Sequence, residues 1–376
     1  MITAGSSPPP PQEDHPRRSA QNLKGILPFT YIPWIKVLLF IISLFLFFIA
    51  LETMKTGAQE MTGFARRLSG VDDLLSGIGL GWLTSYFTLS GSPIAAISLT
   101  LFDVASINEV ATFGMIIGSR IGGSLIVIFI GVIYILQGHD RGTSLLTGIL
   151  SFMVTGLIYI PATPLGLFLL DRISLPIPFL SSSSSLSKSP LDRLLGPLRN
   201  LMVTHLPEWV VFGLGVVLTL ISLELIDKAL PEFELEENIF GEVPDLLYRP
   251  LISFLLGFAF TLITMSVSIS LGLLVPLSVR GYIKRENLLP YIMGSNISTF
   301  LDTVIAGLLL RNPEAANLVL VQTLSVTIIS LLILFFIYRP FQKAILRSAL
   351  WMNEKSPRLL VFSAVLFLIP LVLIFT

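Results

Sequence analysis

The chain has 376 residues, 53% of them hydrophobic and only 13% charged, with a mean hydropathy of +0.84 and a formal net charge of zero. Soluble domains carry charge on about a quarter of their residues, so the shortage of charge excludes an ordinary soluble chain, and the neutral balance gives no reason to expect a nucleic-acid partner. The absence of cysteine excludes disulfides, thiolate metal sites and thiol nucleophiles.

Residues 1–36 hold Pro8 to Pro11, Arg17, Arg18, Lys24 and Lys36. They read as a polar cytoplasmic tail, since no early apolar core with a small-residue cleavage site marks a secretory signal. The first apolar run, 37–54, is long enough to cross a bilayer, which takes about 20 apolar residues. Residues 74–104 are apolar, too long for one crossing and too short for two, and rich in Gly and Ser. They fit a re-entrant hairpin. Residues 110–136 can cross but carry the cluster Gly118-Ser119-Arg120-Ile121-Gly122-Gly123 in their middle, and are expected to form a helix broken near mid-membrane. A further span, 144–170, completes the first unit.

A Ser-rich loop at 171–208 follows, whose segment 180–189 reads as a flexible linker. The second unit repeats the plan. Residues 209–227 are a span and 251–279 a second hairpin. Residues 288–310 form a second broken helix around Gly294-Ser295-Asn296-Ile297-Ser298-Thr299, and 315–338 a last span. Residues 339–376 add a basic segment and one more helix at 359–375, outside the duplication.

A shift of 176 residues superposes the units without a gap: Gly81 on Gly257, Thr88 on Thr264, Ser90 on Ser266, Ser92 on Ser268, Gly118 on Gly294 and Ser119 on Ser295. Each unit then has three full crossings, an odd number, so the second copy is inverted. The expected fold is an all-α polytopic membrane protein of two inverted-topology repeats, each with a re-entrant hairpin and a broken transmembrane helix. With the N-terminus inside, fifteen Lys and Arg fall on the inner side and eight on the outer, as the excess of basic residues on the cytoplasmic side requires. A multi-pass protein of the plasma membrane, N-terminus cytoplasmic, is expected.

The chemistry-bearing residues lie at the hairpin tips and in the broken helices. At the tips stand Thr88, Ser90, Ser92, Thr264, Ser266 and Ser268, whose hydroxyls suit a dehydrated cation or an anion. In the broken helices stand Ser119, Arg120, Ser295, Asn296, Ser298 and Thr299. Asn296 is the strongest single ligand candidate, offering one acceptor and two donors. Freed amides at a half-helix start would add an anion site, and Gly118 and Gly294 would permit the close approach such a turn needs. The opposing reading is that single Ser and Thr side chains in membrane helices bond backbone carbonyls. Arg120 falls on Asn296 in the repeat, and a guanidinium at membrane depth faces a cavity or a partner. It either grips an oxyanion in two-pronged fashion, replaces a bound cation, or pairs with Asp302. Asp103 is expected to be solvated at the hairpin mouth.

This arrangement resembles the type II sodium–phosphate cotransporter family, which carries a Gln-Ser-Ser-Ser segment at each hairpin tip and Gly-Ala-Asn-Ile-Gly-Thr-Thr in each broken helix. The corresponding segments are Leu89-Ser90-Gly91-Ser92 and Met265-Ser266-Val267-Ser268, then 118–124 and 294–300. The likeness spans roughly residues 37–338, and the second copy is the closer. Both glutamines are replaced, by Leu89 and Met265, and Arg120 departs from the pattern. The resemblance implies phosphate as substrate, with no cofactor but a coupling sodium at Ser266, Ser268, Asn296 and Thr299.

The function expected is therefore a secondary active transporter, sodium-coupled, of inorganic phosphate or a related small anion. The alternative is a non-transporting sensor or scaffold that keeps the fold. No Ser/His/Asp set, metal-spaced histidine cluster or phosphate-cradling loop is visible, so an enzyme is not expected. The expected partners are the anion and the lipid bilayer; a homo-oligomer is compatible with this plan.

Overall fold

The computed structural model describes residues 34–61, 72–173, 197, 201–230, 249–280 and 283–376. Most of the N-terminal tail, the Ser-rich linker and the acidic run from Glu232 to Asp245 lie outside them. The described residues are helical, without strands, and include seven helices long and apolar enough to cross a membrane. These are the five plain spans and the two interrupted ones read from the sequence.

The first half contains α1 (Trp34–Glu60), α2 (Leu74–Thr88), α3 (Ser92–Asp103), α4 (Glu109–Gly123), α5 (Leu125–Leu136) and α6 (Arg141–Leu170). The second contains α7 (Glu208–Ala229), α8 (Pro250–Thr264), α9 (Val267–Gly272), α10 (Leu274–Val279), α11 (Arg285–Ser298), α12 (Leu301–Leu309) and α13 (Pro313–Leu332). After a π-helical turn at Ile333–Ile337 come α14 (Tyr338–Glu354) and α15 (Ser356–Ile374). Two boundaries differ from expectation. Helix α1 starts at Trp34, inside the segment read as tail. The last span of the second half runs on through the basic segment as one 42-residue helix, Pro313–Glu354.

Helix α6 is central. It packs against α5, α11, α13 and α14, with Val154, Ile158, Tyr159 and Ala162 fully buried. At the periphery α1, α7 and α15 turn Ile41, Phe45, Val217, Leu360 and Val372 outward, all exposed. Such rows are stable only against lipid, where backbone polar groups must be bonded internally, as a helix does.

The two halves repeat their packing at the 176-residue offset. A methyl at Gly81 would stand 2.0 Å from the Met115 carbonyl oxygen, and one at Gly257 2.0 Å from that of Tyr291. Gly118 meets the Ile78 carbonyl, and Gly294 the Phe254 carbonyl, at the same 2.0 Å. Each glycine lets α2 lie flush on α4, or α8 on α11, the small-residue packing that membrane helices favour. Hydroxyl bonds follow: Ser85 donates to the Ser119 carbonyl at 3.1 Å, and Thr261 to the Ser295 hydroxyl at 2.8 Å.

Both hairpins turn on a residue in the left-handed region, Leu89 (φ 49°) and Met265 (φ 48°), a conformation a side chain makes costly. Thr88 and Thr264 hold the turns by donating to the carbonyls of Ser90 (2.7 Å) and Ser266 (3.3 Å). The ends of the first hairpin meet, Asn108 Nδ2 donating to the Asp72 carbonyl at 2.6 Å. At the base of the second, Ser253 donates to the Asn287 carbonyl at 3.0 Å.

The two helices expected to be broken around 118–123 and 294–299 are interrupted, but only at the C-terminal end of each cluster. The first cluster is helical through Gly123, and the interruption is Ser124 alone, still right-handed (φ −67°, ψ −13°). The second helix runs through Ser298 and breaks at Thr299–Phe300, also right-handed. The amides of Ser124 and Thr299 stay bonded to the carbonyls of Arg120 (3.3 Å) and Ser295 (3.1 Å). These are kinks, and the amides offer no half-helix anion site. The small residues serve the close helix contact described above. Asp103 is not solvated either: its side chain is 8% exposed, 2.6 Å from Lys55 Nζ, and accepts from Asn312 Nδ2 at 2.9 Å.

Candidate functional site

The two hairpin tips meet, Ser268 donating to the Leu89 carbonyl at 3.5 Å. Beside this junction the kinks of α4–α5 and α11–α12 face one cavity of about 630 Å³ including its mouth. Seven of the twelve ligand candidates line it: Ser90, Ser92, Arg120, Ser266, Ser268, Asn296 and Thr299. Asp302 lines it as well. The four positions expected to hold sodium thus line the same cavity.

The other five face away. Thr88 and Thr264 hold the turns. Ser119 donates to the Ile116 carbonyl at 2.7 Å and Ser298 to that of Ser295 at 3.4 Å. Ser295 sits in a buried hydroxyl cluster with Thr261, Ser270 and the Gly257 carbonyl. For all of these but Ser295 the local reading of Ser and Thr is the right one: in a helix their hydroxyls fall within reach of the carbonyl three or four residues back.

Arg120 is the hub. Its residue is 6% exposed. One terminal nitrogen donates to Thr299 Oγ1 at 3.1 Å and to Ser92 Oγ at 3.3 Å. The other is 3.0 Å from Asp302 Oδ1 and also donates to Thr303. The guanidinium carbon stands 5.1 Å from the Phe300 ring centre, close enough for a cation–π contact. Nε has no partner. The pairing with Asp302 read from the sequence is therefore made, across the two halves. Asn296 is held by α6: Thr155 Oγ1 lies 3.2 Å from its Nδ2 and 3.3 Å from its Oδ1, and Tyr159 donates to its carbonyl at 2.9 Å.

Sequence reasoning missed Tyr159, Asp227, Leu223 and Ile226, which also line the cavity. Asp227 lines the cavity beside the Ser266 hydroxyl. It lies between the members of an exposed Glu224–Lys228 pair at 2.6 Å, which makes the end of α7 look like an interfacial charge run. The signal available was its repeat mate, the buried apolar Leu51. Comparison of the chain with protein-family models, curated proteins and solved structures finds no match.

Proposed function

We propose that the chain is a secondary active transporter of the cell membrane, moving inorganic phosphate or a related small anion with sodium by alternating access. The observation that carries this is convergence: both tips and both kinks, matched at a 176-residue spacing, contribute polar side chains to a single cavity. Transporters with inverted repeats bind substrate where discontinuous helices meet. The reading includes inversion of the halves and re-entrance of the hairpins. It is supported by hairpin bases joined at opposite groups of helix ends. The first is tied at Asp72–Asn108, in the group holding Asp103 and Asn312. The second is tied at Ser253–Asn287, near Arg285, which donates to Thr143 at 3.3 Å. The resemblance to type II sodium–phosphate cotransporters is part of this proposal.

The geometry suggests how an oxyanion enters. Arg120 meets two neutral hydroxyls with one nitrogen and a carboxylate with the other. Charge-assisted bonds are roughly twice as strong as neutral ones. An incoming anion therefore displaces Ser92 and Thr299 in preference to Asp302. The freed hydroxyls, one on each half, turn to the anion, which joins hairpin and kink only while bound. Differential contacts of this kind bias a two-state equilibrium.

Radiolabelled phosphate uptake into proteoliposomes, with and without an inward sodium gradient, tests the proposal. Gradient-driven uptake is expected, and absence of gradient-dependent flux of phosphate and related anions would sink it. A sensor or scaffold is the second reading, favoured by the Arg120–Asp302 pair already made across the halves; binding without flux would select it.

A further inference from the structure

The cavity carries three formal charges: Arg120, Asp302 and Asp227. Arg120 and Asp302 cancel as a 3.0 Å pair. Among the described residues no Lys, Arg or His pairs with Asp227, and the Ser266 hydroxyl lies near it on the same cavity. Other charges around it do not compensate. Glu224 on its own helix is bound to Lys228 at 2.6 Å, and Lys36 of α1 donates to the Leu230 carbonyl at 3.5 Å. An unpaired carboxylate facing a low-dielectric cavity is costly and calls for a neutralising cation. It also repels any anion that shares the space.

We infer that Asp227 is the anionic ligand of the coupling sodium ion, with the Ser266 and Ser268 hydroxyls, which line the same cavity, as neutral ligands. The site is empty. A carboxylate with hydroxyl oxygens is a hard-oxygen set of the kind a hydrated alkali cation exchanges its water for. Ser266 is suited to the part, since its oxygen accepts from Ile269 N at 3.4 Å and keeps a lone pair for the ion. Asp227 lies outside the motifs that carry the family resemblance, and its repeat mate Leu51 is apolar. The second half alone therefore supplies this charge. Sodium at Asp227 takes the cavity from net −1 to neutral, so the cation binds first and the anion follows.

The inference rests on the transporter reading of this cavity, but its test needs no flux. Purified full-length protein in detergent is unfolded thermally in increasing NaCl at constant ionic strength, with choline chloride as the balance. Wild type is expected to show a saturable rise in unfolding temperature. Asp227→Asn loses it, Ser266→Ala shows a roughly tenfold weaker apparent affinity, as for loss of one ligand, and Glu354→Gln, on an exposed pair with Arg358, keeps it. A wild type that responds to pH and not to sodium overturns the inference, as does an Asp227→Asn variant with the wild-type sodium response. Should Asp227→Asn fail to fold, Ser266→Ala and Asp227→Glu decide: wild-type sodium affinity in both overturns it. A sodium response lost in Asp227→Asn, with no phosphate flux in wild type, keeps this inference and sinks the phosphate proposal.

Discussion

A single cation fastens the two halves together at the cavity wall. Arg120 comes from the first kink, while Thr299, Asp302 and Thr303 come from the second. Removing one member of a buried pair strands the other, which typically costs about 3–5 kcal/mol. Arg120→Met and Asp302→Asn are each expected to lower the unfolding temperature sharply, and the double variant to recover most of the loss. A double-variant loss equal to the sum of the two single losses would show that the pair does not couple. This pair was legible in the sequence because each charge interrupts an apolar run. Asp227 was not, because the charged residues around it disguise it. Nor could the sequence tell Ser90, which faces the cavity, from Thr88, which faces a carbonyl, since both are tip hydroxyls two residues apart.

At the scale of elements, the hairpins and kinks are set by small residues and caps. Helix α2 is started by Asp73, whose carboxylate accepts from Ser76 N at 3.0 Å and from the Ser76 hydroxyl. Those bonds hold its pKa below the usual range. Stabilisation from a lowered carboxylate is present above its unfolded pKa and lost as pH falls through the folded one. Asp73→Ala is expected to cost about 1 kcal/mol at neutral pH, the usual worth of such a cap, and to converge with wild type in acid. Glycines give a sharper contrast. Gly118→Ala drives a methyl to 2.0 Å from the Ile78 carbonyl, whereas Gly156, also helical, has nothing within 4 Å. The first should destabilise by roughly 1–3 kcal/mol or more, and the second should be neutral or stabilising by up to about 1 kcal/mol, both read by thermal unfolding in detergent. The matched spacing of these glycines was plain in the sequence. Their use was not: the same Gly and Ser that suggest a broken helix also permit two helices to touch, and contact geometry alone separates the two.

At the scale of the whole molecule, the proposed function stands or falls on inversion. Alternating access by rocking one repeat against the other needs hairpins that enter from opposite faces. The contacts sort the loops into two groups. Arg141, Gly142, Asn353 and Ser356 meet at one end, and Ile173 and Asn317 at the other. The count of basic residues puts the first group inside. Because the chain has no cysteine, single substitutions can be probed in the wild-type background with a membrane-impermeant maleimide. Arg172→Cys and Glu314→Cys should label in intact cells, and His139→Cys and Lys355→Cys only after permeabilisation. Those four fix the orientation. The hairpin bases then decide the inversion: Asp72→Cys is expected to label with Arg172→Cys, and Arg249→Cys with His139→Cys. Labelling of both bases from one face would make the halves parallel. Ser266 and Ser90 would then be reached from the same side, leaving no symmetry-related pair of states to expose the cavity alternately.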